Sequence, residues 1–483
     1  MHREHRPALL SLGCLILLLH GCAAEQHTPP QKLAIANVHY ADGLRKAEQW
    51  PDAQWWTRYG DAQLDGLIEQ ALANAPSLLA VKARINQAHS QAQLVASATS
   101  LQISAFSMLN RQKASSNGFL GPYAKDVPEL GLTGPWYTEG TLGVFASLDI
   151  DPWGRNRAAL SAAIGVEQAR LAEAAQARLQ LATGVAQLYY SLQTTWQLEK
   201  LLQRSEQVLR LAVEAHQHKV DTGLEGQVPL ANAQSQRLAV QRQIVSTHSE
   251  AIELQNSLAA LVGATQLPAL RPVDLPKASA GVPQDLPYSL LSRRADLQAL
   301  NAYVQASLSE IDVAKAAFYP SFDIKAFFGL DSLHLSQLFK HDSQQINLIP
   351  GLTLPLFNGG SLRANLRASH AINEELIQRY NQAVLDAVRD VASRGDRLQA
   401  LDQEWRLQRE RIEAVTFEKR ALEAAYQRGL GSRVSAAIGE LPLLAEEVAL
   451  LTLESQRLTQ SLLLIESLGG GYDATRARMA TAQ

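Results

Sequence analysis

The chain has 483 residues, 46% apolar, 19% charged and 6% aromatic, with 44 Lys and Arg against 47 Asp and Glu. A net charge of −3 offers no field for a polyanion, and no basic run or interleaved aromatic stripe is present, so no nucleic-acid partner is expected. Two cysteines make neither a disulfide framework nor a structural zinc cluster, and no metal or other cofactor is expected. At the N-terminus, Arg3 and Arg6 precede an apolar stretch from Pro7 to Leu19. It is too short to span a bilayer well, and residues 1–21 have the layout of a secretory signal.

The run Leu19-His20-Gly21-Cys22 resembles a bacterial lipobox, which implies lipidation, with palmitate among the acyl groups, at Cys22. The alternative is an ordinary signal peptide with an incidental cysteine. Ala23 stands where such lipoproteins carry Asp for inner-membrane retention, so the resemblance implies outer-membrane sorting. Residues 22–50 read as an extended, lipid-anchored N-terminus. No later segment has 18 uninterrupted apolar residues, and any further membrane crossing would need a closed β-barrel.

From residue 51 onward the chain repeats itself. At a shift of 206, Arg157 matches Arg363, Gly223 matches Gly429, Leu224 matches Leu430, Val228 matches Val434 and Gly263 matches Gly469. Earlier in each half the matching shift is 218, pairing Gln87 with Gln305 and Val95 with Val313. The length difference falls in the Gly/Pro/Ser-rich stretch between about residues 109 and 140. The first repeat spans 51–262 and the second 289–468, joined by a proline-rich linker at 263–288 and followed by a tail at 469–483 expected to be flexible.

Each repeat reads as helix, strand, loop, strand, very long helix, tight turn and long helix. Strands are expected at about 101–109, 140–150, 321–330 and 345–356. In the second of these, Leu142, Val144, Ala146, Leu148 and Ile150 alternate with Thr141, Ser147 and Asp149, one apolar and one polar face. The segment 101–109 is weaker, because both of its faces carry apolar residues. Four strands cannot close a barrel, since the smallest need about eight; three chains would supply twelve. The long helices, from 155 to about 219 and from 361 to about 427, would each extend ~95 Å at ~1.5 Å per residue. Their turns, at 221–226 and 428–433, fall at the end remote from the strands, where glycine suits a left-handed helix cap.

No HExxH, CxxC, GxSxG or P-loop spacing occurs, and no convergent catalytic set is visible, so an enzyme is not expected. The glycines at 429 and 431 follow a helix rather than a strand, unlike a phosphate loop. His216 and His218 lie on different helical faces and form no metal pair.

Several motifs, in this order, resemble those of the TolC-like outer-membrane factor family, in its lipoprotein branch serving multidrug efflux. They are Trp55-Trp56 with Asp61 and Leu64, then Asp151-Pro152-Trp153-Gly154-Arg155 and Arg293-Arg294-Ala295-Asp296-Leu297. Ala317-Phe318-Tyr319-Pro320 and Pro355-Leu356-Phe357-Asn358-Gly359-Gly360 complete the series. The resemblance implies a mainly α fold with a transmembrane β part, a homotrimer whose 12-strand β-barrel continues into a 12-helix periplasmic α-barrel. It implies an outer-membrane exit channel in a Gram-negative bacterium. Drugs or other toxic small molecules would reach it from an inner-membrane pump through a periplasmic adaptor and leave passively. The family's adaptor-docking turns map onto Gly223, Leu224, Gly429, Leu430 and Ser432, and its periplasmic gate onto Val434, Ile438 and Glu440. Ile438 stands where the family often has Asp, which alters the charge expected at the constriction. Ala295 stands where Pro is usual. The competing reading is a lipid-anchored coiled-coil scaffold or adhesin without a pore; a periplasmic hydrolase would need a polar cluster that is not visible.

Overall fold

The computed structural model describes residues 28–33, 46–47, 50–119, 121–124, 126–127, 132–277, 281–283 and 286–473. Cys22 and the signal-like segment lie outside them. Helix α1 (Ala62–Asn74) begins because Asp61 caps it, its Oδ1 accepting from the backbone N–H groups of Gln63 and Leu64. Leu64, Leu67, Ile68 and Ala71, at helical spacing, are buried on one face. Helix α2 (Pro76–Ser97) opens on a proline, whose fixed φ and missing N–H suit the first turn. Strands β1 (Gln102–Lys113) and β2 (Trp136–Ile150) follow, and then α3 (Arg155–Asp221) and α4 (Gln227–Val262).

The second repeat runs α5 (Leu286–Arg293), α6 (Ala295–Ala316), β3 (Ser321–Ser332), β4 (Gln344–Thr353) and α7 (Ser361–Gln427). Two shorter pieces, α8 (Arg433–Ile438) and α9 (Leu441–Ser467), complete it. Helices α3 and α7 both have 67 residues, about 100 Å at ~1.5 Å per residue. Among the described residues, no helix is long and apolar enough to cross a membrane.

These four strands form an antiparallel sheet in the order β1-β2-β3-β4. They extend beyond the expected 101–109, 140–150 and 321–330, while β4 stops at Thr353 rather than 356. The element starts correct the early repeat spacing. Helix α6 begins at 295 against 76 for α2, and β3 begins at 321 against 102 for β1, a shift of 219 rather than 218. Strand parity supports 219: it pairs Ile103 with Phe322 on the apolar face, whereas 218 would pair Ile103 with Ser321 on the other. A one-residue slip turns every side chain of a strand over, and alanine-rich helices match by chance at either shift.

The core sits midway along the molecule in two clusters. Trp55, Trp56, Leu64, Leu67 and Ile68 pack against Leu179–Tyr190 of α3, the end of α4 and Leu458, Leu462 and Ile465 of α9. Leu290, Leu297 and Val304 pack in the same way against Ile377–Leu398 of α7 and Leu464 of α9. Each fully buried large side chain contributes roughly 1.5–3 kcal/mol. The linker does not hang free between the repeats. Gln63 grips Arg271, donating to its carbonyl and accepting from its N–H, while Gln193 accepts from Val273 N–H and Gln197 donates to its carbonyl. A side-chain amide carries the same donor and acceptor as a peptide and so substitutes for a strand partner.

The glycines at 469–471 were expected to open a flexible tail, but they form a packed junction. All three have positive φ, and a Cβ at Gly469 would lie 1.9 Å from the Arg293 carbonyl oxygen. Only glycine admits both the backbone and the contact. Residues 474–483 lie outside the described ones.

Candidate functional site

At the end of the helices remote from the sheet, the two reversals have the same construction. Helix α3 closes with Leu224 N–H donating to Lys219 O at 2.8 Å, and α7 with Leu430 N–H donating to Ala425 O at 2.9 Å. Gly223 and Gly429 both hold φ +73°. This is the Schellman arrangement, in which the residue after the glycine usually folds its apolar side chain back onto the helix. Here Leu224 and Leu430 do the reverse, and each is 80% exposed. Nothing lies within 4 Å of a Cβ built on either glycine, so the glycines serve the backbone and the leucines project into open space.

The turns differ in their supports. In the first, Glu225 lies 2.5 Å from His216 Nδ1 and 3.7 Å from Lys219 Nζ, and the His216 hydrogen bond leads in holding its carboxyl below the usual value. In the second, Ser432 caps α8, accepting from Ser435 N–H at 3.0 Å.

Val434 and Ile438 lie on α8, half-buried. The helix breaks after them. Gly439 sits where a Cβ would be 2.5 Å from Leu422, so α7 lies tight against the break, and Pro442 opens α9. Glu440 occupies the break and is drawn into a lattice of charges. Arg204 of α3 donates to it at 2.7 Å and to Glu447 at 3.3 Å, and Lys419 of α7 lies 3.4 Å from its other oxygen. One carboxylate thus joins α3, α7 and the α8–α9 junction. Burial works to raise the Glu440 carboxyl, but Arg204 and Lys419 outweigh it and hold it below the ordinary carboxylate value. Arg204, Lys419 and Glu447 carry no local motif, and their partners lie far along the chain.

At the other end, the register sorts the sheet into two faces. Ile103, Leu109, Leu142, Val144, Leu148, Ile324, Phe328, Ile346, Leu348 and Leu352 share one face, and most of them are exposed. Gln102, Ser104, Ser147, Asp149, Asp323, Lys325, Gln345 and Asn347 share the other, with Lys325 paired to Asp323 at 2.7 Å. That second face also carries Phe106, Phe145 and Phe327, with Phe106 and Phe327 edge to face at 6.0 Å. This accounts for the ambiguity of segment 101–109. A clasp ties the sheet to the helices: Trp153 stacks on Tyr319 at 4.9 Å and donates through Nε1 to the Pro320 carbonyl.

A family model described as outer membrane efflux protein matches residues 67–264 and 286–470, one block in each repeat. The chain belongs to that family. It is 53% identical to the multidrug resistance outer membrane protein MdtP of Escherichia coli K12 over 472 residues, covering 96% of this chain and 97% of that one. It is 40% identical to the multidrug resistance outer membrane protein MdtQ of E. coli O157:H7, covering 98% and 100%. Among solved structures, the outer membrane protein VceC of Vibrio cholerae superposes with a TM-score of 0.76 at 28% identity, over 88% of this chain and 100% of that one. Family membership favours a channel over the scaffold or adhesin reading.

Proposed function

We propose that this outer membrane efflux protein is the exit channel of a tripartite efflux system. It conducts drugs or other toxic small molecules passively across the outer membrane after an inner-membrane pump and a periplasmic adaptor deliver them. The observation that carries the proposal is the placement of opposite surfaces at opposite ends of helices about 100 Å long. One end has a sheet with a continuous apolar face; the other has two matched turns that display leucines.

The apolar face of the sheet meets lipid and the polar face lines a lumen. Four strands leave two open edges, which lipid does not tolerate, so three copies close a 12-strand barrel. The helices need the same partners. Val245 on α4 is 71% exposed and Phe417 on α7 is 74% exposed, and companion copies cover them in a 12-helix tunnel. An acylated Cys22 anchors the N-terminus to the same membrane. Leu224 and Leu430, with Gly223, Gly429 and Ser432, receive the adaptor. Val434 and Ile438 narrow the periplasmic end, where Ile438 favours dewetting over cation selection. Glu440 acts as a latch: its bond to Arg204 of α3 holds the second-repeat helix pair inward, its bond to Lys419 ties the two members of that pair together, and the channel opens when the pair swings away from α3.

Purified full-length protein added to planar bilayers tests the reading. Stepwise conductance from a heat-sensitive trimer is expected; a stable monomer that conducts nothing would restore the scaffold reading.

A further inference from the structure

The outer rim of the sheet holds two cations that the channel function does not use. Register places Leu109 opposite Gly140, Arg111 opposite Thr138 and Lys113 opposite Trp136. Side chains alternate along a strand, so Arg111, Lys113 and Trp136 share the apolar face with Leu109 and Leu142. Both cations are exposed. Both lie over the Trp136 ring, Arg111 at 5.6 Å and Lys113 at 6.0 Å from its centroid. Among the described residues neither makes an ion pair. The carboxylates that the strand register places at this level are on the opposite face: Glu139, which accepts from Asn110 at 3.4 Å, and Asp331, opposite Thr141. Charge is therefore segregated by face at this level, with cations toward lipid and carboxylates toward the lumen.

The height of the cations decides what they meet. With ~3.3 Å per residue and a ~40° tilt, the apolar band from Ile150 up to the Gly140 level is about 25 Å tall, the thickness expected of a barrel's lipid belt. Arg111 then stands about 5 Å above the band and Lys113 about 10 Å above it, in the headgroup layer of the outer leaflet. A tryptophan at this level is the usual interfacial anchor. Its electron-rich face positions both cations side by side without neutralising them, and a phosphate accepts charge-assisted hydrogen bonds from such a pair. The outer leaflet of an outer membrane is built of phosphorylated glycolipid.

We infer that Arg111, Lys113 and Trp136 form a binding site for a phosphomonoester headgroup of an outer-leaflet glycolipid, one site per protomer at the rim of the barrel. The inference rests on the apolar face being the lipid face, and so on the channel reading. The site pins each protomer's β1–β2 hairpin to the outer leaflet, far from any anchor at the N-terminus.

Native mass spectrometry of the full-length protein in detergent tests it, with three probes: lipopolysaccharide, the same lipopolysaccharide stripped of phosphate, and phosphatidylglycerol. The parent is expected to retain lipopolysaccharide at least tenfold better than either other probe. R111Q/K113Q should lose that preference, while the charge-conserving R111K/K113R and the lumen-face variant K325Q should keep it. Equal retention of the stripped lipid, preference for phosphatidylglycerol, or full retention by R111Q/K113Q would each overturn the site. Bilayer conductance of the same preparations separates the two failures: trimers that conduct without phosphate preference sink the site alone, and a non-conducting monomer sinks the channel reading and the site together.

Discussion

Replacing Glu440 with glutamine keeps the size of the side chain and its capacity to accept a hydrogen bond but removes its charge. Opposite charges ~4 Å apart at an effective dielectric of ~20 attract by about 4 kcal/mol. Desolvation and the ordering of two long side chains cancel most of this, leaving about 1–2 kcal/mol for a partly buried, hydrogen-bonded pair. Arg204 is 43% exposed and Glu440 23%, so solvent screening keeps the figure at that level rather than higher. If three protomers open together, the contributions accumulate to about 3–6 kcal/mol, which lowers the closed-to-open ratio between about a hundredfold and ten-thousandfold. Single-channel recording of E440Q at pH 7 should show long open dwells where the parent is mostly closed, and raised salt should move the parent part of the way. E447Q, which loses only the 3.3 Å arm, should lie between the two. Because Arg204 and Lys419 hold the Glu440 carboxyl below the ordinary carboxylate value, the latch is complete above that ordinary value. It is lost as pH falls through the folded-state value. The parent should therefore stay closed from pH 7 down to about pH 5 and open only at lower pH; opening between pH 7 and about pH 5 would show that some other group controls the gate. Normal trimers of E440Q that open no more often than the parent would refute the latch.

The other predictions concern the two ends of the chain. G429V forces a β-branched residue to φ +73°, at a cost of about 1–3 kcal/mol; trimers should persist on gels while drug resistance is lost, and surviving resistance would refute the docking assignment. L224A/L430A removes side chains that are each 80% exposed, so the melting free energy should change by less than about 0.5 kcal/mol while cross-linking to the adaptor falls sharply. Asn381 accepts from Leu33 N–H at 2.8 Å and donates to the Gln31 carbonyl at 3.1 Å. N381A should therefore release the N-terminal arm and speed protease cleavage near residues 28–33 without altering conductance.

The turns, the two-faced strands and the duplication were legible because their causes are local. A left-handed cap favours glycine wherever it occurs, and a strand with one apolar and one polar face alternates with a period of two. The proposed gate was legible only in part. Val434, Ile438 and Glu440 could be placed by resemblance, but nothing near Arg204 announces a partner 236 residues away. Remoteness along the chain likewise hid the packed role of the glycines at 469–471, which read as a flexible tail until Arg293 and Asp52 are seen against them.

Composition and periodicity thus determined which elements form, how long the two great helices run, and that one copy cannot satisfy its own sheet edges. Tertiary structure decided which charges meet, which strand parity relates the two repeats, and which cations share the apolar face of the sheet. The division follows from range: backbone geometry and side-chain alternation act within a few residues and leave a repeating mark, whereas contacts between distant residues depend on how whole helices and strands are set against one another.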